Sequence, residues 1–287
     1  MGLDEFLNKL PEDDDAAIDY AALPELSGLT APEAEEFGQL WLEWTSERVL
    51  DIVDRMVALN EEQPDVEFET IFKQGIVHPS SGVRGSSLEG LEESDDRTLV
   101  RPLCEMLKSD PASEVRAAAA IPLAYLSAMA QMGKLSKRYE EALIDVLYGV
   151  LDDEREVTDV KLKALEAVSV FGGDRLDAHI EAAWSTSDIS ARQSSLFAMG
   201  RTSNPKWVDR VIPDLEHDVV SIRYEATMAM GELGDEEHLT ALEAPLDDAD
   251  LTVQLAAISA VERIGGDVAR GQLERKLVST EPRVVEL

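Results

Sequence analysis

A β-branched or small residue followed by a basic or polar one recurs along this chain at an interval that hardly varies. Val160-Lys161, Ala191-Arg192, Ile222-Arg223 and Val253-Gln254 stand 31 residues apart, and Val284-Val285 opens a further interval of the same length. Val83-Arg84 and Val115-Arg116 are earlier members of the series. A fixed period of this size marks an array in which each unit buries its apolar face by stacking on its neighbours. A 287-residue chain built this way is expected to fold as a row of small units rather than around one central core.

The positions inside each unit agree at helical spacing. Four residues after the first member of each pair stand Ala164, Ser195, Ala226 and Ala257, and eight residues after it Val168, Met199, Met230 and Val261. At the seventh residue, Ala167, Ala198, Ala229 and Ala260 are all alanine. These offsets share one face of an α-helix, so the face is expected to be buried, with alanine where neighbouring backbones approach closely. Gly172, Gly234 and Gly265 follow Val160, Ile222 and Val253 by 12 residues, where a helix ends in a left-handed residue. Asp188, Asp218 and Asp250 shortly precede Ala191, Ile222 and Val253 and suit N-caps or turns. Companion helices are expected in "NPKWVDRVIPDLEHD" and "DEEHLTALEAPLDD".

Carried by "VSIRYEATMAMGELGD" and "LTVQLAAISAVERIGGD", this plan resembles HEAT repeats, in the short variant first noted in phycobilisome lyases. The resemblance covers residues 76–287 and implies an all-α, right-handed α–α superhelix, a HEAT/armadillo-like solenoid, with about six units. The wider run "LSGLTAPEAEEFGQLWLEWTSERVLDIVDRMVALNEEQPDVEFETIF", with "ASEVRAAAAIPLAYLS" and "SSLFAMGRTSNPKW", is similar to a group of uncharacterised prokaryotic HEAT-repeat proteins. HEAT-like arrays include scaffolds, adaptors, lyases and hydroxylases, so the resemblance implies a fold and leaves the activity to the residues.

Two stretches depart from the period. From Val115 to Val160 the interval is 45 residues, and the excess lies around "SAMAQMGKLSKRYEE", where Lys134, Lys137 and Arg138 cluster. A lengthened helix pair and a docking loop are the two readings. Ahead of the array, Thr30 and Glu33 form a capping-box pattern with Pro32 in the first turn, and Phe37, Leu40, Trp41 and Trp44 make an apolar stripe. Residues 30–75 are expected to be a helical cap closing the end of the solenoid, the stripe being either its core or an aromatic ligand box. Residues 1–29 are expected to be a disordered acidic leader.

Charge narrows the partners. The formal net charge is −33, and residues 1–75 alone hold 20 acidic against 4 basic side chains. Such a surface repels phosphate, which argues against nucleic acid and anionic membranes and separates the chain from HEAT-like DNA glycosylases, whose groove is basic. A saline habitat or a basic partner would both account for the acidity. Cys104 stands alone, so no intrachain disulfide or multi-thiolate metal site is available. No apolar run spans a membrane, and the first 20 residues lack the plan of a signal peptide; the expected location is the cytoplasm.

The inventory for catalysis is thin. His78, His179, His217 and His238 are the only histidines, and none begins the His-Glu pairs that resemblance to the deoxyhypusine hydroxylases would require. Nucleophile-elbow, P-loop and dinucleotide patterns are missing too. The expectation is a non-catalytic adaptor or scaffold, a monomer without cofactor that binds a protein along its concave face. A bilin-lyase-type or other HEAT-repeat enzyme is the alternative.

The helices that carry the recurring pairs also offer positions that the buried face leaves over, and Phe197, Arg201, Tyr224, Met228 and Arg263 fall there. Together with Lys134, Lys137 and Arg138 they are the candidate partner-binding residues, aromatic, Met and Arg side chains being common interface anchors. Packing between repeats is the competing role for Phe197, Tyr224 and Met228. Arg116, Arg192 and Arg223 recur at one position and are expected to pair with turn aspartates.

Overall fold

The computed structural model describes residues 2–10 and 20–277, and every regular element among them is a helix. The chain divides into two compact units, Met1–Ala167 and Val168–Leu287. Val284-Val285 and most of the acidic run that follows Leu10 lie outside the described residues.

In the first unit the helices are α1 (Gly2–Lys9), α2 (Ala31–Leu40), α3 (Ser46–Glu62), α4 (Glu69–Gly75), α5 (Ser81–Glu89), α6 (Val100–Ser109), α7 (Ser113–Gln131) and α8 (Lys137–Asp152), with α9 (Thr158–Val168) at its end. Helices α3, α5 and α7 lie side by side, and α2 packs on α4. The α2–α3 pair therefore continues the stacking order of the repeats although it lacks their sequence pattern. Its start is the capping box read from the sequence: the Thr30 amide and hydroxyl both donate to Glu33 Oε2, at 2.9 and 2.6 Å. The aromatic stripe is core, since Phe37 and Trp41 are fully buried with ring centroids 5.1 Å apart.

The expected disordered leader is corrected for the residues described. Gly2–Lys9 is helical, Tyr20–Leu26 forms a 3-10 segment, and Leu3, Phe6, Leu23 and Leu26 are buried. Phe6 meets Phe37 edge-on at 5.9 Å. Average composition hid this because the acidic residues dominate the count, whereas burial depends only on which side chains share one face.

The long interval between Val115 and Val160 is taken up by a 19-residue α7 and a 16-residue α8. Their extended ends carry the extra residues, as in the lengthened-pair reading.

In the second unit the helices are α10 (Asp174–Trp184), α11 (Ile189–Arg201), α12 (Val208–Val211), α13 (Val220–Leu233), α14 (Glu243–Leu246), α15 (Leu251–Ile264) and α16 (Gly266–Leu277). Helices α11, α13 and α15 stack in order. Ala198, Ala229 and Ala260 are buried where these helices meet, together with Met199, Met230 and Val261. Two glycines set the spacing. A methyl on Gly200 would lie 3.0 Å from Ala229 Cα, and one on Gly231 would lie 2.9 Å from Ala260 Cα.

The turn residues follow expectation in part. Asp188 caps α11 through the Ala191 amide at 2.8 Å, and Asp250 caps α15 through the Thr252 amide at 2.9 Å. Gly172 and Gly265 are left-handed, with φ of 63° and 72°. Gly234 is not: its φ is −77°, and the chain leaves α13 extended into the Asp235 capping box.

Candidate functional site

An arginine ladder fixes the repeats beside one another. Arg84 reaches both oxygens of Asp110 at 2.8 Å while Nη1 donates to the His78 and Pro79 carbonyls. Arg223 holds Asp248 at 2.6 and 2.8 Å with Nη1 on the His217 carbonyl, and Arg192 holds Asp214 at 2.8 and 2.9 Å with Nη1 on the Trp184 carbonyl. Each guanidinium thus ties its own turn to the acid of the next repeat, the bidentate geometry that a planar fork provides. Arg116 departs from the expected aspartate: it holds Glu156 at 2.9 and 2.7 Å, beyond the end of the lengthened α8. Gln254 ends the series with a single donor, Nε2 to the Asp248 carbonyl at 2.5 Å.

The charges on these rungs are stabilised by their partners. Hydrogen bonds from Arg223 and Arg116 hold the Asp248 and Glu156 carboxyls below the usual carboxylate range. Two histidines belong to the same turns. The Nδ1 atoms of His78 and His217 accept the amides of Ser80 and Val219, at 3.1 and 3.0 Å, as Asp110 and Asp248 accept those of Ala112 and Asp250. Burial, then the Arg84 charge, lowers the pKa of His78. Cys104 is buried, and burial followed by the nearby Glu105 pushes its thiol up to about 11. Among the described residues no three His, Cys, Asp or Glu side chains converge to hold a metal ion.

The candidate site is a groove between α11 and α13. Phe197, Tyr224 and Met228 form its apolar part, with Arg201, Glu225 and Glu232 around them, enclosing about 250 Å³. Phe197 is 37% exposed, and Tyr224 and Met228 are half-buried. The small residues Gly200 and Ala229 make the floor by letting the two helices approach. Arg263 on α15 pairs with Glu232 at its edge. Four of the residues singled out in the sequence, Phe197, Arg201, Tyr224 and Met228, are therefore lining neighbours, and Arg263 is one residue removed. Sequence reasoning did not find Gly200 or Glu225, whose offsets lie outside the positions it followed.

Lys134 lies in the first unit in the turn between α7 and α8, and Lys137 and Arg138 begin α8. All three are exposed, and Lys137 pairs with Glu140 at 2.7 Å. A roomier concavity in the first unit, about 510 Å³, includes Glu61, Glu67, Glu69, Glu89, Glu92 and Glu93 in its lining, with Val57, Asn60 and Val66. No described helix is long and apolar enough to cross a membrane.

Helices that stack in chain order, with no strand among the described residues, define a class of repeat protein, the α-solenoids. Within it, residues 176–262 match the family model of HEAT repeats. Similar solved structures include human deoxyhypusine hydroxylase in complex with glycerol, at 18% identity and a TM-score of 0.40 over 91% of this chain and 95% of that one. An engineered protein aligns at 16% identity and 0.43, over 99% of this chain and 86% of that one. Kap95p, solved with RanGDP, aligns at 12% identity and 0.46, over 99% of this chain and 40% of that one. A search of curated proteins found no match.

Proposed function

We propose that this chain is a non-catalytic protein-interaction module, an adaptor or scaffold that offers the α11–α13 groove to a protein partner. The supporting observation is that Phe197, Tyr224 and Met228 are gathered in one open groove, whereas the other exposed large apolar residues of the two helices, Ile189 and Val220, stand at their first positions and outside it. Large apolar side chains left at a surface in company mark an interaction site more often than scattered ones do. The repeat fold supports the reading because HEAT repeats make extended surface from units that carry no chemistry of their own. On this reading the protein acts in the cytoplasm as a monomer, without a cofactor.

The test replaces Phe197→Ala and Tyr224→Ala together and measures thermal unfolding alongside retention of a partner captured by the wild type. The expected outcome is lost retention with stability within about 1 kcal/mol of wild type, as for surface positions. A loss of several kcal/mol, the scale of truncated core side chains, would make both residues inter-repeat packing and remove the site.

A further inference from the structure

The charges that line the α11–α13 groove are not all engaged within the fold. Residues 168–287 hold 22 acidic and 11 basic side chains, and the groove has the same two-to-one ratio, with Arg201 beside Glu225 and Glu232. Glu232 pairs with Arg263, and Glu225 is engaged in an interaction of its own. Arg201 lies in the last turn of α11, exposed, and has no carboxylate partner among the described residues. Arg201 is thus a cation that the described residues leave without a carboxylate, beside the apolar part of the groove.

The apolar part lies next to that charge. Phe197 and Arg201 are four residues apart on the same helix, about 6 Å along its axis. With roughly 300–1,000 Å³ usual for a small-molecule pocket, the groove's volume of about 250 Å³ suits one large side chain of a protein. An exposed guanidinium beside an apolar surface gains most from a carboxylate, which it can meet with two parallel hydrogen bonds.

Resting on the interface reading above, we propose that the groove recognises a protein segment carrying a large apolar side chain with a carboxylate one helical turn away. The apolar side chain packs on Phe197, Tyr224 and Met228, and the carboxylate pairs with Arg201. The acidic surface outside the groove repels strongly acidic partners at long range. The segment therefore presents its carboxylate as an isolated charge among neutral or basic residues, and the local pair sets register and specificity.

The test uses three short helical peptides that present one leucine, followed a turn later by Asp, Asn or Lys. They are titrated into full-length protein labelled on its methionine methyl groups, with the Met228 signal assigned from Met228→Leu. The Asp peptide is expected to shift the Met228 methyl and to bind about fivefold more tightly than the Asn peptide, the size of a good exposed ion pair. That preference is expected to vanish in Arg201→Gln, whose fold is verified by thermal unfolding. Equal binding of the Asp and Asn peptides to wild type, or tightest binding by the Lys peptide, would overturn the carboxylate specificity while leaving the groove as an interface. If no peptide moves the Met228 methyl but the Phe197→Ala, Tyr224→Ala protein still loses its partner, the peptide chemistry fails alone. If that retention also survives the double substitution, the interface reading fails with it.

Discussion

Gly231→Ala sets two known effects against each other where the structure decides the winner. Alanine is the better helix former by about 1 kcal/mol in a helix interior, so at a free position the change stabilises. At Gly231 the new methyl would lie 2.9 Å from both Cα and Cβ of Ala260. Carbon atoms prefer about 3.5–4.0 Å, so α13 and α15 must part by several tenths of an ångström. Neither neighbouring atom can rotate away, because one is backbone and the other is fixed to it. Overpacking of this kind costs about 1–3 kcal/mol, and the rigid obstruction places Gly231 in the upper part of that range. The net expectation is destabilisation by about 1–2 kcal/mol after the propensity gain. Gly85→Ala is the control, since a methyl there meets no heavy atom within 4 Å in the middle of α5; it should stabilise by about 0.5–1 kcal/mol. Urea unfolding of both variants measures the two values. A Gly231→Ala protein as stable as Gly85→Ala would refute the claim that backbone contact sets the spacing of the repeats.

Two further outcomes follow from the charges. Because Asp248 and Glu156 titrate below their ordinary values of 3.8 and 4.5, the folded state binds these protons less readily than the unfolded one. Their stabilisation is complete above the ordinary values and is lost as pH falls through the folded ones. Asp248→Asn should therefore cost about 1–3 kcal/mol near neutrality, and its deficit should shrink below pH ~4; urea titrations showing a constant deficit would rule out the charge of Asp248 as the cause. Potassium chloride should raise the melting temperature, since it screens a net charge of −33 while the rungs, with side chains 3–21% exposed on the four pairs, are largely shielded. A melting temperature that fell steadily with salt would mean that ion pairs outweigh the repulsion.

The repeat, its helical face and the alanine positions were legible in the amino-acid sequence because they are local and periodic. A 31-residue interval with apolar offsets at four, seven and eight states which face each helix buries, whatever the neighbours are. The Arg116, Arg192 and Arg223 register was legible for the same reason, and so was the capping box at Thr30. The non-periodic elements were harder to read. The α2–α3 pair stacks as a repeat does without the repeat's letters, and α1 is held by Phe6 against Phe37, a contact between residues 31 apart that no local pattern encodes.

For the candidate site the division is sharper. That Phe197, Tyr224 and Met228 stand off the shared face follows from helical spacing alone. Whether they meet depends on how closely α11 and α13 approach, and that distance is set by Gly200 against Ala229, a contact across two helices. The partner of each arginine also required the tertiary structure, since the length of the intervening helices determines which acid arrives: Asp110, Asp214 and Asp248 on three rungs, and Glu156 where α8 is longer. The ion pairing around Arg201 came from the same source, because a charge is engaged or left over only through neighbours that folding brings within hydrogen-bonding range. Sequence determined the faces of the helices through their period; the distances between those faces, and the pairing that depends on them, were decided by packing.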